Sequence, residues 1–321
     1  MQLLQFFLAL ALLPFAFAVS RSSPPAGAIV VRQSGTKSGE FSTISAAVAS
    51  LSGSGPKTIF IYAGTYKEQV SITYSNLTIL GQTTDTGNWK NNVVTITNNL
   101  NAQDNGGNDA CATLRAEAPY FNLYNVNVAN TYGAGKQATA VAARRSYQGF
   151  YGCQFTGYQD TLLADVANGY QYYSNCNIVG AVDYIYGGAS AWFGECTLTS
   201  NGGGAITANS RTLNTDPSYY VIDSSTITST GSTDLTSKVY LGRPWRQYAR
   251  VVFQNSDLPA LINPIGYSTL AAGATPIFSE FGNTGAGAST SKRVTYTPIS
   301  AAITKNQVLG SNWKSWTDTS Y

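Results

Sequence analysis

The sequence predicts an all-β chain wound into a parallel β-helix. Three observations carry that expectation: short β-branched and aromatic runs, Gly- and Asn-rich turns between them, and a loose internal repeat. Ile59-Phe60-Ile61-Tyr62, Leu77-Thr78-Ile79-Leu80 and Val93-Val94-Thr95-Ile96 are typical runs, and no interior stretch reads as a crossover helix. The repeat comprises Asn125-Val126-Asn127-Val128, Cys153-Gln154-Phe155, Cys176-Asn177-Ile178 and Cys196-Thr197-Leu198, at steps of 28, 23 and 20 residues. Unequal steps of that size suit coils with loops of different length, each burying its apolar face against the next.

At 321 residues the chain can bury a substantial core in one domain. Leu3 to Val19 is an apolar run interrupted by Pro14 and closed by Ala16-Phe17-Ala18, the small-x-small pattern of a signal-peptide cleavage site. The expected division is therefore a leader over 1–18 and a single domain over 19–321. No later segment is apolar enough to span a bilayer, so the mature chain is expected to be secreted and free of the membrane. Ser42-Thr43 precedes Ile44, Ala47, Val48 and Leu51, a helical stripe that Gly53 ends; a short helix should cap one end of the fold.

Charged residues make up 11% of the chain, against roughly 25% in ordinary soluble proteins, which reads as an extracellular β-rich composition. The net charge of +3 suits modest attraction to a polyanion, and no Lys/Arg run is long enough to suggest nucleic-acid binding. Asn76-Leu77-Thr78 is the one acceptor triplet for N-glycosylation.

There is no histidine, which excludes Ser-His-Asp and Cys-His mechanisms and imidazole-dependent metal sites. Carboxylates remain, because neighbours can push their pKa values apart into nucleophile and acid/base roles. Asp160 stands seven residues after Cys153, and Asp183 seven after Cys176. Equal offsets on adjacent coils stack at one strand spacing, about 4.8 Å, so the repeat places the two carboxylates side by side. Two solvated turn aspartates are the competing explanation. Cys111, Cys153, Cys176 and Cys196 allow three full disulfide pairings; a stacked ladder of buried thiols is equally compatible with the repeat.

Motifs distinguish these readings. Gly157-Tyr158-Gln159-Asp160-Thr161-Leu162, Val182-Asp183-Tyr184-Ile185-Tyr186-Gly187 and Leu241-Gly242-Arg243-Pro244-Trp245 follow one another in order. Gly135-Lys136-Gln137-Ala138 through Val141-Ala142 stands upstream, and Phe278-Ser279-Glu280-Phe281-Gly282-Asn283-Thr284-Gly285-Ala286-Gly287-Ala288 downstream. The ordered set resembles the pectin methylesterases, from Gly39-Glu40-Phe41 to the Trp313 region. The Gln137 segment departs from the family pattern by an insertion-like difference at Ala138-Thr139. Tyr184, Tyr186 and Gly188 also stand where many relatives carry Phe, Phe and Asn.

The resemblance implies a right-handed parallel β-helix with a C-terminal extension, acting without metal or organic cofactor on methyl-esterified homogalacturonan to give methanol and pectate. It implies Asp183 as nucleophile, Asp160 as general acid/base, Arg243 as the cation that holds Asp183, and Gln137 and Gln159 as oxyanion donors. Trp245 matches the family's cleft tryptophan, whose face suits a sugar ring; Tyr158 is a further candidate for the groove. Another pectin-active β-helix enzyme, a lyase or polygalacturonase, and a non-catalytic pectin-binding solenoid are the rival functions. A monomer is expected.

Overall fold

The computed structural model describes residues 19–321; the leader expected over 1–18 lies outside the described residues. Among the described residues, 24 strands pair in parallel into three sheets of ten, seven and seven strands. The chain visits them in rotation. Gln148–Tyr151 lies in the ten-stranded sheet (I), Gln154–Thr156 in one seven-stranded sheet (II) and Leu162–Ala164 in the other (III). Tyr170–Ser174 then returns beside Gln148–Tyr151. The result is a right-handed parallel β-helix, as the repeat and the motifs predict.

Stacking of equivalent side chains builds the core. Phe150 and Tyr173 lie with ring centroids 4.9 Å apart at 5°, and Tyr173 and Phe193 at 4.6 Å and 9°. Phe155, Ile178, Leu198 and Ile227 form a second buried row in sheet II. Each aromatic pair adds roughly 0.5–1.5 kcal/mol beyond the area it buries.

Between sheets I and II the chain bends through one residue in the left-handed region: Asn125, Gly152, Asn175, Glu195, Ser224 and Asn255 have φ of 52°, 56°, 52°, 53°, 49° and 50°. Asparagine suits this bend because its short polar side chain tolerates positive φ. The bend corrects the repeat by one position. Gln154 pairs with Asn127 and Asn177, so Val126 is the counterpart of Cys153, and Asn125 belongs to the bend.

Cys153, Cys176 and Cys196 follow three of these bends and form a ladder of free, buried thiols. Cys153 Sγ donates to Leu123 O and Cys176 Sγ to Phe150 O, each at 3.4 Å. Parallel strands sit about 4.8 Å apart, wider than the Cβ separation that a disulfide prefers, so the stack favours thiols. Cys111 is also free and lies outside the ladder.

Helix α1, Ile44–Ala49, packs Ile44, Ala47 and Val48 over the first coil, and Thr43 Oγ1 accepts from Ala46 N at 3.2 Å. It closes at Ser50, ahead of Gly53. At the other end of the chain, Ile277–Phe281 is the last strand of sheet I, where buried Glu280 accepts from Arg293 Nε and Nη2 at 2.7 and 3.0 Å. The C-terminal extension, with helix α2 at Lys305–Leu309, lies on the outer face of sheet I. Val308, Leu309 and Trp316 cover Tyr151, Tyr172 and Trp192 there. No helix among the described residues is long and apolar enough to cross a membrane.

The ladder predicts that the protein, denatured without reductant, titrates four thiols with a chromogenic disulfide reagent and that the native protein titrates almost none. A count of two or zero after denaturation would show bridges instead.

Candidate active site

The bend from sheet II to sheet III carries both aspartates. Gln159 pairs with Val182, and Leu162 with Ile185, so the register runs unbroken through Asp160 and Asp183. Asp160 N donates to Val182 O at 3.0 Å. Both residues have positive φ, 64° and 50°, which turns their side chains out of the strand direction on successive coils. The bends share a second feature, a glycine three residues earlier. A Cβ on Gly157 would lie 2.6 Å from Thr161 Oγ1, and one on Gly180 would lie 2.2 Å from Tyr184 Cβ. The bend folds the residue after each aspartate against that glycine, which explains the repeated Gly-x-x-Asp.

The stacked carboxyls line a cavity of about 200 Å³ with Gln137, Gln159, Arg243 and Trp245. Arg243 grips Asp183 with both arms of its fork: Nε donates to Oδ1 at 2.8 Å and Nη2 to Oδ2 at 2.7 Å. Arg243 pairs in register with Ala208, which pairs with Tyr186, so the guanidinium crosses the intervening strand over a small side chain. A bidentate pair fixes orientation as well as charge. Its hydrogen bonds to Asp183 also raise the pKa of Arg243.

Asp160 and Asp183 are only 5% and 8% exposed. Burial, and then the negative charge of Asp183, push the pKa of Asp160 up to about 8, against the opposing pull of Asn108 and Arg243. Asn108 Nδ2 donates to Asp160 Oδ2 at 2.8 Å. The site therefore holds one carboxyl that keeps its proton at neutral pH beside one that is ion-paired.

Gln137 and Gln159 meet at the rim of the cavity. Ala138 N donates to Gln159 O at 3.0 Å, whereas Ala140 N and Val141 N both donate to Thr161 O, at 2.8 and 3.1 Å. That shared acceptor marks a bulge, which absorbs the insertion-like residue and leaves Gln137 opposite Gln159. Gln137 Oε1 accepts from Gln103 Nε2, which turns the Gln137 amide N–H₂ away from Gln103.

Trp245 is half-buried against Tyr186, with centroids 5.9 Å apart, and against the small side chains Ala112, Ala142 and Ala208. Tyr186 is buried in the cavity wall, its hydroxyl 2.7 Å from Thr139 Oγ1, whereas Tyr184 belongs to the interior. Tyr158 does not line the cavity; its hydroxyl approaches Gly202, because one position before Gln159 it falls on the other side of the extended backbone.

Asn108 and Leu270 also line the cavity, and neither is marked by the repeat. The Asn108 loop is pinned by Cys111, whose Sγ donates to Asn108 O at 3.3 Å.

The family model described as Pectinesterase matches residues 28–319. The chain belongs to the pectinesterase family. It is 54% identical over 304 residues to pectinesterase A of Emericella nidulans, covering 94% of this chain and 92% of that one. The crystal structure of the pectin methylesterase from Aspergillus niger superposes with a TM-score of 0.91 at 50% identity, over 94% of this chain and 100% of that one. The pectin methylesterase from carrot gives 0.81 at 31% identity, over 91% and 96%. This pectinesterase is thus a carboxylic ester hydrolase that acts on pectin methyl esters, and not a lyase or polygalacturonase.

Two outcomes follow from the geometry. Gly180→Ala should cost about 1–3 kcal/mol in denaturant unfolding, because its Cβ meets Tyr184, and a variant of unchanged stability would refute the packing argument. Asp160 in the unfolded chain loses its proton near 3.8 and in the folded chain near 8, so folding takes up a proton between those values and stability falls as pH rises across them. Asp160→Asn removes that cost: its Tm should match the parent near pH 4 and exceed it by several degrees at pH 8.

Proposed function

We propose that this pectinesterase hydrolyses the C6 methyl esters of galacturonate residues in homogalacturonan with Asp183 as nucleophile and Asp160 as general acid and base. The observation that carries the assignment is the asymmetry of the pair: Asp183 is gripped by Arg243, while Asp160 holds a proton up to about pH 8. An Asp183 oxygen attacks the ester carbonyl carbon. The side-chain amides of Gln137 and Gln159 donate to the oxyanion, a task for neutral donors placed where charge develops. Asp160 gives its proton to the departing methoxy oxygen, methanol leaves, and an anhydride joins the sugar to Asp183. Asp160, now a carboxylate, takes a proton from water as the water attacks the sugar-side carbonyl. The uronic acid departs and loses its proton to solvent, Asp183 is restored as a carboxylate, and Asp160 is protonated again.

The hydrolysis involves no redox change, and carboxylates, amides and a guanidinium supply each step. Trp245 offers an aromatic face to a sugar ring beside the cavity, over a floor kept low by alanines. Tyr158, outside the cavity, is assigned to an outlying part of the polysaccharide groove. We further propose that the enzyme is secreted, acts on extracellular pectin, and works as a monomer, since the site draws every named group from one chain.

Asp183→Asn should lower methanol release from highly methylated pectin by at least about 10³-fold with the fold retained, and undiminished release would overturn the assignment. For the parent, kcat/KM should decline as pH rises through about 8, where Asp160 loses its proton. Asn108→Ala removes a hydrogen bond that favours the Asp160 carboxylate, so its alkaline limb should move to higher pH. A limb that stays in place would exclude Asp160 as its source.

A further inference from the structure

Gln137, Asp160 and Asp183 occupy the passage from sheet II to sheet III on three successive coils. One coil earlier the same passage is a long loop, residues 99–113, between strands Val94–Asn98 and Leu114–Ala116. The loop is braced from outside: Asn130 Nδ2 donates to Leu100 O and Gln69 Nε2 to Ala110 O, each at 2.8 Å. It is braced from within by buried Asn101, which donates from Nδ2 to Asp104 Oδ2 at 2.8 Å and accepts at Oδ1 from Asp104 N at 3.0 Å. Three consecutive loop residues then clasp the segment of Gln137. Ala102 N donates to Gln137 O at 2.8 Å, Gln103 Nε2 donates to Gln137 Oε1, and Asp104 accepts from Lys136 Nζ at 3.0 and 2.8 Å on its two oxygens. Gln137 lines the cavity of the aspartates, whereas Gln103 is exposed and does not line it.

We propose that Gln103 is a positioning residue for the ester hydrolysis: its hydrogen bond to Gln137 Oε1 fixes which end of the Gln137 amide faces the reacting ester. A carboxamide carries donors at one end and an acceptor at the other. With Oε1 engaged by Gln103, the N–H₂ is left for the cavity, where a donor stabilises the charge that develops on the carbonyl oxygen. Turned over, the same side chain would put a carbonyl dipole of the wrong sign at that place, so the orientation decides whether Gln137 helps or hinders. The Asp183 carboxylate in the same cavity favours the same choice, because it attracts N–H and repels C=O. A donor fixed in advance costs no reorganisation when the charge appears, and the clasp on both sides of Gln103 supplies that fixity. The proposal rests on the reading of Gln137 as an oxyanion donor, which one variant tests by itself.

Methanol release from highly methylated pectin, measured on the full chain at neutral pH, supplies the test. Gln137→Met should lower kcat by about 10²-fold, the cost of one oxyanion donor. An unchanged kcat there would remove the reading of Gln137 and the proposal with it. Gln103→Met, which keeps the length and loses the bond, should lower kcat about tenfold and leave KM within about twofold. Gln103→Glu, whose carboxylate only accepts, draws the Gln137 N–H₂ to itself and should lower kcat by about 10²-fold. In a Gln137→Met background neither Gln103 substitution should lower kcat by more than about a further twofold. That background separates a turned amide from a new charge near Asp160 or a loosened loop, since both of those effects would persist in it. With Gln137→Met impaired, full kcat in Gln103→Glu would overturn the proposal and leave the reading of Gln137 standing. So would losses that appear in KM and not in kcat, or that persist undiminished in the Gln137→Met background.

Discussion

The unbroken register between the coil of Asp160 and the coil of Asp183 is the constraint on which the site depends. Gln154 pairs with Asn177, Gln159 with Val182 and Leu162 with Ile185 without slippage. In a parallel stack, any residue that bends the chain on one coil is reproduced one strand spacing away on the next. Two left-handed aspartates, each three residues after a glycine, thereby become a carboxyl pair whose separation is set by backbone hydrogen bonds and not by side-chain choice. The bulge at Ala140-Val141 serves the same constraint, since it restores Gln137 to the level of Gln159 despite an extra residue.

Once two carboxyls are stacked and buried, electrostatics divides them. Both are buried, and burial together with the negative charge of Asp183 makes Asp160 hold its proton. Arg243 decides which one keeps it, because its planar fork closes on both oxygens of Asp183 and reaches no oxygen of Asp160. Asp160 receives only a neutral amide from Asn108, which opposes the upward shift without cancelling it. The same burial that raises the Asp160 pKa weakens the fold at neutral pH, so the site is held together by the coils around it at some expense of stability.

What could be read from the sequence follows from how local each interaction is. Asp160, Asp183 and their pairing were legible because stacking converts equal offsets from Cys153 and Cys176 into proximity. The first repeat unit was placed one residue off because Asn125 looks like a strand residue until its positive φ assigns it to the bend. The ladder of thiols was ambiguous in sequence, since the same spacing brings cysteines near enough to suggest bridges; the strand separation resolves it. Asn108 left no signal, as it sits in a loop outside the repeat and reaches Asp160 across 52 residues of chain. Gln137 needed its motif, because a bulge is invisible to a count of residues. Tyr158 shows the opposite limit: membership of a motif does not say which side of the backbone a side chain takes.

The three outer faces of the helix then differ in what they can accept. Sheet I is covered by the C-terminal extension, with Val308, Leu309 and Trp316 lying over its tyrosines and Trp192. On sheet III, Ala142 and Ala208, with Ala112 just ahead of its strand, lie beside Trp245, so the outer face stays low next to the bend. Placing the two carboxyls in bends at the edge of that face leaves their geometry to the hydrogen-bonded stack. Beside that face, successive coils provide a row of equivalent positions that ends on the stacked aspartates. The row explains how a solenoid without histidine brings two carboxyls, two amides and a guanidinium to one cavity: each comes from a bend, a loop or a strand end on a short run of coils.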